Sequence, residues 1–596
     1  MPSTFFGLEI AKRALAVSQL NLQVIAHNIA NSSTPGYSRQ RAELVPAAPL
    51  AYPAFTRPGY VQQMGSGVDV NAIKRLRDEF LDEVIWGQTS SQGHNTAVES
   101  ALNQIEQIFN EPSDTGLSTA LDNFFAAWQD LANNPELVSS RANLREQAFT
   151  LVRTISTLGG PFKKLIQDQN SALRLKVKEV NDLAEQISDL NVQISEVRGL
   201  GDNPNDLMDQ RDQLVEKMAS IVPATTIEDS NNRTSILIGG LRIVEEDLVQ
   251  KINLVSGPNG PDDLELRIGT TLIPELGGKG ELAGIMEARD EVIPFFQSKL
   301  DNLISAVVNR VNVIHLRGFG LDGVKSRPFF ADYHTAEMVG TSALPAGTTE
   351  DTPLDELGIT AGNFLINGTN ITILESDVAP GESIRLGDLL KRITDAQPLV
   401  RASLSHNVAG QPLVRLDLYN PPTTSTEIEV TPGTSNFPAM TGLDTATTEF
   451  LETASVYGNA SGMIGLSLPV RENLDAIAAA GDDGSGIYPG PGNNDNAIAI
   501  AGLQSSNTSM VSTSFGDYYV AAIGELGSRS RAATQLVTNQ SILLNQLNTQ
   551  RESVKGVNMD EEATNMIIYQ RIYEGAARVS QVVDSMLDTL INRTGA

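Results

Sequence analysis

The chain has 596 residues, a net charge of −29, 41% hydrophobic residues and no cysteine. A charge of that sign and size repels nucleic-acid backbones and anionic membrane surfaces, so neither is expected as a partner. Without thiols there are no disulfides, thiolate metal sites or cysteine nucleophiles, and a typical ~150 residues per domain implies three to five packed domains. Glu9, Lys12 and Arg13 stand where a cleavable signal peptide needs an apolar core. With no long apolar run elsewhere, neither leader nor membrane span is expected.

Thr4 to Arg41 reads as one long amphipathic helix running into a turn. Leu8, Ala11, Leu15, Ser18, Leu22, Ile25 and Ile29 alternate spacings of three and four, a narrow seam that asks for a partner helix. Pro35 and Gly36 stop the helix, and the chain should leave extended towards Arg39 and Arg41. A mixed-charge stretch, Asn71 to Ile85, leads into a run of helices. Their apolar stripes are Val98, Leu102, Ile105 and Phe109; then Leu117, Leu121, Phe124, Trp128 and Leu131; then Leu137, Leu144, Ala148, Leu151, Ile155 and Leu158. Asn133-Asn134-Pro135 and Gly159-Gly160-Pro161 read as stops, which predicts antiparallel hairpins. Phe162 to Val197 then predicts a separate rod-like helix, and a shorter one carries Leu207, Arg211, Leu214, Met218 and Ile221.

At Pro223 the texture becomes β-like, with strands expected at 225–227, 235–238, 251–255 and 264–268. Asn231-Asn232, Gly239-Gly240 and the turn at 257–261 punctuate them. Helix resumes at Glu281 with Ile285, Val292, Phe296, Leu303, Val307 and Ile314 on one face. A second inserted segment has strand-like runs at 364–366, 370–374, 400–404, 414–418 and 427–430, and one helix over 386–393. Ala480 to Asn496 reads as a loop. Tyr518 to Asn592 is almost wholly helical, broken near Lys555 to Asn558. Its last helix carries Ala563, Met566, Gln570, Tyr573, Ala577 and Ser580 and, after a one-residue slip, Val583, Leu587 and Leu590.

Both ends therefore carry seams that need helical partners. The expected fold is multidomain α+β. Residues 1–60 with 556–596 form a coiled-coil assembly domain; 61–222 with 281–329 and 456–555 form a helical-bundle rod; 223–280 is a small inserted β domain; 330–455 is an inserted α+β outer domain. The assembly interface is assigned to Leu8, Leu15, Leu22, Ile25, Ile29, Met566, Tyr573, Ala577, Val583, Leu587 and Leu590.

Three stretches resemble a known family. The turn from Ala30 to Gln40 resembles that of flagellar rod, hook and junction proteins. Asn205 to Leu214 resembles a segment of the hook-filament junction branch, and Gly556 to Ala563 with Tyr569 to Val579 resembles its C-terminal signature. The chain is thus identified as resembling the axial proteins of the bacterial flagellum, over about 1–325 and 495–596. In the middle, Phe364 to Ile371, a helix and Arg401 to Leu404 look like a domain inserted in flagellins. The resemblance implies a non-enzymatic adaptor that joins hook to filament by self-assembly as a ring or short helical segment. It further implies as partners the hook protein, the next junction protein and an export chaperone at the C-terminal helices. Type III export to the extracellular flagellum, without a cleaved signal peptide, follows from the family alone. Two other readings remain, a secreted cell-wall hydrolase and a surface adhesin on the same scaffold.

Chemical motifs are sparse, and no cofactor or metal is expected. Gly318 to Gly323 matches a dinucleotide fingerprint in letters, but follows a helix instead of leaving a strand, so it reads as a helix-ending turn. His27, His94, His315, His334 and His406 lack zinc-site spacing. Asp206, Asp209 and Asp212 read as a solvated, ion-paired helix face, and Asp482-Asp483-Gly484 lacks the other ligands of a calcium loop.

Overall fold

In this computed structural model the described residues are 6–48, 65–229, 233–257, 263–273, 276–325, 327–331, 336–397, 400–407, 411–418, 428–450, 464–482, 486–506 and 513–589. Leu590, His334, Asp483, Gly484, the Asn231-Asn232 pair, positions 258–261 of the next turn and Glu427 lie outside them.

Helix α1 spans Phe6–Ala30, and the turn that ends it has Gly36 at φ 79°, a conformation glycine adopts without Cβ strain. The chain then runs extended into β1, Gln40–Pro46, which pairs antiparallel with β2, Val68–Arg75. That pairing was not foreseen, because neither strand alternates cleanly. Helix α2 covers Glu79–Phe109 and α3 covers Leu117–Asn133, ending where the Asn-Asn-Pro signal stands.

Helix α4 corrects the expectation of a stop at Gly159-Gly160-Pro161. It runs unbroken from Val138 to Gly199, 62 residues with Pro161 inside, about 90 Å at the standard rise. An interior proline costs ~3 kcal/mol. Leu158, Phe162 and Leu165 are all buried around it, each burial favouring the helix by ~1.5–3 kcal/mol, so tertiary packing outweighs the local signal. Phe162 meets Phe109 edge-on at 5.6 Å between ring centres.

Helix α5, Asn205–Ile221, leads into β3 Ala224–Glu228, β4 Thr234–Ile238, β5 Leu241–Glu245, β6 Leu248–Val249, β7 Ile252–Ser256, β8 Leu264–Ile268 and β9 Thr271–Leu272. These make two antiparallel sheets, β3-β4-β5-β6 and β7-β8-β9. Their inward residues, including Ile236, Ile238, Val244, Leu264 and Leu266, share one buried cluster with Leu173, Val180 and Ile187 of α4 and Val215 and Met218 of α5. The β segment therefore completes its core with helices.

Helix α6, Glu281–Glu287, passes through a π turn at Ala288–Val292 into α7, Ile293–Arg317. Pro294 lies at the start of α7, where a missing N–H is tolerated. Gly318 caps α7 and Phe319 bridges Ala480 and Lys325, so the glycine-rich run is a helix-ending turn. The next segment holds β10 Ala336–Val339, β11 Gly362–Ile366, β12 Thr369–Ile373, α8 Leu386–Ala396, β13 Val400–His406, β14 Pro412–Leu418, β15 Val430–Thr431, α9 Phe437–Thr441 and β16 Glu449–Phe450. Sheets β13-β14-β10-β16 and β12-β11-β15 enclose a core with α8, containing Phe364, Leu389, Val400 and Leu416. Helices α10 Leu468–Glu472, α11 Asp495–Gly502, α12 Phe515–Lys555 and α13 Met559–Asp588 complete the chain.

The chain divides into two compact units, residues 1–99, 169–287 and 533–596 in one and 100–168 and 288–532 in the other. The terminal helices belong to the first.

Candidate functional site: the terminal helix pair and the polar junction at its base

Helices α1 and α13 pack against each other. A Cβ placed on Gly7 would lie 3.5 Å from Val583 Cγ2. At the other end Asn28 Nδ2 donates to Glu562 Oε2 at 3.1 Å, so the pair is antiparallel.

On α1 the buried residues are Ala11, Val17, Ser18, Asn21, Val24, Ile25 and Asn28. Ala11, Ser18 and Ile25 belong to the expected seam; its Leu8, Leu15, Leu22 and Ile29 are half-buried beside this face. The buried strip is more polar and rotated from the leucine seam. Ser18 Oγ donates to the Ala14 carbonyl at 2.7 Å and Asn21 Nδ2 to the Val17 carbonyl at 2.8 Å, which satisfies both within α1.

On α13 the inward residues are Glu562, Met566, Tyr569, Ala576, Ser580, Val583 and Leu587, with no slip in the repeat. Met566, Val583 and Leu587 were foreseen, and Ala577 is half-buried beside the more buried Ala576. Tyr573 is 41% exposed, at the seam's margin. The expected slip vanishes once the seam is counted from Glu562, which is 1% exposed and paired with Arg39. A second stripe faces outward: Ile568, Ile572, Val579, Val582 and Met586 are each 46–63% exposed, at spacings of four, seven, three and four. No described residue covers this second apolar stripe.

The base of the pair is polar and buried. Arg39 places Nε 2.6 Å from Glu562 Oε1 and Nη2 2.9 Å from Glu561 Oε1, and its backbone N–H donates to the Lys555 carbonyl at 2.9 Å. Asn558 caps α13 by accepting from the N–H groups of Asp560 and Glu561. Asn28 Oδ1 accepts from Tyr37 Oη at 2.8 Å and from the Gln40 N–H at 2.9 Å. Burial, then the carboxylates of Asp206, Asp209 and Glu562, raises the Tyr37 hydroxyl well above its ordinary pKa. The hydrogen bond from Arg39 lowers the pKa of Glu561, and the same bond raises that of Arg39.

Helix α5 supplies the second half of the junction. Asp209 accepts from the Ser38 N–H at 2.8 Å and from Arg75 Nη1 at 2.7 Å, while Asp212 binds Arg75 and Arg77. Asp206 accepts from Gln40 Nε2 at 2.7 Å and lies 3.3 Å from His27. The expected ion pairing is present, but the expected solvated face is not, since Asp209 is 5% exposed. Arg211 between them is buried, which lowers its pKa to about 10. Beside them a cleft of about 450 Å³ is lined by oppositely charged side chains, among them Arg77, Asp82, Asp212, Glu216 and Arg551. These groups neutralise one another, with Arg551 Nη1 2.7 Å from Glu216. Among the described residues no cluster of ligating side chains can hold a metal, and no helix is long and apolar enough to cross a membrane.

Residues 8–37 match the family described as flagella basal body rod protein, and residues 552–593 match the flagellar basal body rod FlgEFG protein C-terminal family. Residues 102–330 match the flagellar hook-associated protein FlgK helical domain. Flagellar hook-associated protein 1 of Bacillus subtilis is 27% identical over all of this chain and 99% of its own length; that of Salmonella typhimurium is 25% identical over 98% of each. The flagellar hook junction protein FlgK from Burkholderia pseudomallei shares the fold at a TM-score of 0.51 and 17% identity, covering 79% of this chain and all of that one. The two ends are thus similar to those of flagellar rod proteins. Over its full length the chain is similar to flagellar hook-associated protein 1 of other bacteria, and over residues 102–330 to the helical domain of that protein.

Proposed function

We propose that this chain is a structural adaptor joining flagellar hook to filament, which assembles through its terminal helices. The carrying observation is the second apolar stripe of α13, Ile568 to Met586, left open after α1 has covered the first. A helix with two apolar stripes is built for two sets of neighbours, one in its own chain and one in another copy. The copies form a ring or short helical segment, with the hook protein on one side and the next junction protein on the other. The inserted segment over 330–455 serves as an outer domain, and the protein works outside the cell after export with a chaperone at α12 and α13. The relatives are structural flagellar proteins and lend no support to the hydrolase or adhesin readings.

Electron microscopy of cells lacking the protein tests this role. Hooks without filaments and flagellin released into the medium are expected; intact filaments on the hooks would overturn it.

A further inference from the structure

The seam between α1 and α13 mixes small and large side chains, with Ala11, Val17, Ser18, Val24 and Ile25 on one side and Met566, Tyr569, Ala576, Ser580, Val583 and Leu587 on the other. Apolar groups repeated at helical intervals attract without direction, so a slip of one turn, about 5.4 Å, brings them against others of the same kind. Ser18 and Asn21 add no preference, because each is satisfied within its own helix. The base is different in kind. Glu562 is 1% exposed, and its two oxygens are divided between Arg39 Nε and Asn28 Nδ2. Asn28 is itself fixed, donating to the Gln40 carbonyl at 2.9 Å and accepting from the Gln40 N–H and the Tyr37 hydroxyl. Arg39 is held through its backbone to Lys555 and to Leu76. A one-turn slip would carry the buried carboxylate away from both donors.

We infer that Asn28, Arg39 and Glu562 form a register lock, which fixes the axial position of α13 against α1 and so the height at which the outer stripe is presented. The far end agrees with a single setting. Asn28 to Gly7 and Glu562 to Val583 are both steps of 21 residues, three heptads, and both ends meet across the pair. Polar groups buried in an otherwise apolar helix seam select one register by penalising every other. The inference concerns the pair within one chain, and it stands or falls separately from the proposed role in assembly.

The absence of cysteine makes the register readable by cross-linking. In the full-length protein, Gly7→Cys with Val583→Cys should oxidise to a disulfide, whereas Gly7→Cys with Ser580→Cys or with Leu587→Cys, one turn to either side, should not. The lock is then removed in an apolar background, Asn28→Leu with Arg39→Met and Glu562→Leu, which leaves no buried charge unpaired, since Glu561, the other partner of Arg39, is exposed. The preference for position 583 over 580 and 587 should fall by about tenfold, the worth of one hydrogen bond to a charged group. Glu562→Gln alone keeps the side chain's shape and one of its two acceptor oxygens, and should retain most of the parent pattern. An unchanged preference in the apolar background would overturn the lock, as would the absence of any 583 disulfide in the parent. If the apolar variant fails to fold, loss of the 583 preference in Glu562→Ala together with its retention in Glu562→Gln decides the matter; equal patterns in those two variants reject it.

Discussion

His315 shows how a single residue takes its properties from distant chain. It is fully buried, edge-on to Phe329 at 5.3 Å and to Trp128 at 6.2 Å. Its Nδ1 lies 2.6 Å from the Arg327 carbonyl, and its Nε2 accepts from the Ala478 N–H at 2.9 Å, which defines a neutral imidazole protonated on Nδ1. Burial lowers its pKa to about 4 from an ordinary 6.5. Between those values the unfolded chain binds a proton that the folded one refuses, so stability is full above pH ~6.5 and falls as the pH drops towards 4, by about 3 kcal/mol in all. Denaturant titrations of the parent and of His315→Gln should therefore differ in slope across this window, the variant being less stable at pH 7 and flatter by one proton. Identical slopes would show that His315 is not the group responsible. The aspartates of α5 teach the same lesson. Nothing local distinguishes Asp209 from a surface carboxylate, because Arg75 and the Ser38 N–H that bury it come from more than a hundred residues upstream.

Elements defined by long repeats were legible. The turn after α1, the end of α3, the break between α12 and α13 and strand β8 fall where periodicity and turn residues put them. Failures came where packing overrules a local signal. Pro161 is exposed on a helix whose neighbouring Leu158, Phe162 and Leu165 are buried, so its ring interrupts one hydrogen bond without ending α4. Pro161→Ala should restore that bond and raise stability by about 1–3 kcal/mol, seen as a higher Tm. A lower Tm would mean that α4 depends on the proline's geometry. The terminal pair lies at the opposite extreme, since α13 buries only Glu562 and Ala576 among its described residues. Limited proteolysis of the dilute monomer should cut first within about residues 1–40 and 555–596, where local opening is least costly. Equal protection of these ends and the middle would show the pair to be self-sufficient.

At the scale of the molecule, the sequence revealed that both ends seek helical partners but not how many partners each end has. One heptad seam was assigned to α13, and residues of the covered face were merged with Tyr573 at its margin. The structure separates a face covered by α1 from a face that the described residues leave open, and on the proposed function the open one meets another copy. That distinction changes which substitutions report on assembly. Leu587 and Val583 face α1, so charging them would disturb the monomer as well as the lattice. Ile568 and Val579 do not.

The central claim is that the outward stripe of α13 is the surface through which copies assemble. Its most direct measurement is complementation of a null strain with Ile568→Asp combined with Val579→Asp, read by electron microscopy beside the melting curve of the purified variant. Burying two unpaired carboxylates costs several kcal/mol in the assembled state and almost nothing in the monomer, where both positions are about half exposed. The account predicts an unchanged Tm, normal amounts of secreted variant and hooks that carry no filament. Normal filaments, or a Tm lowered by many degrees, would contradict it.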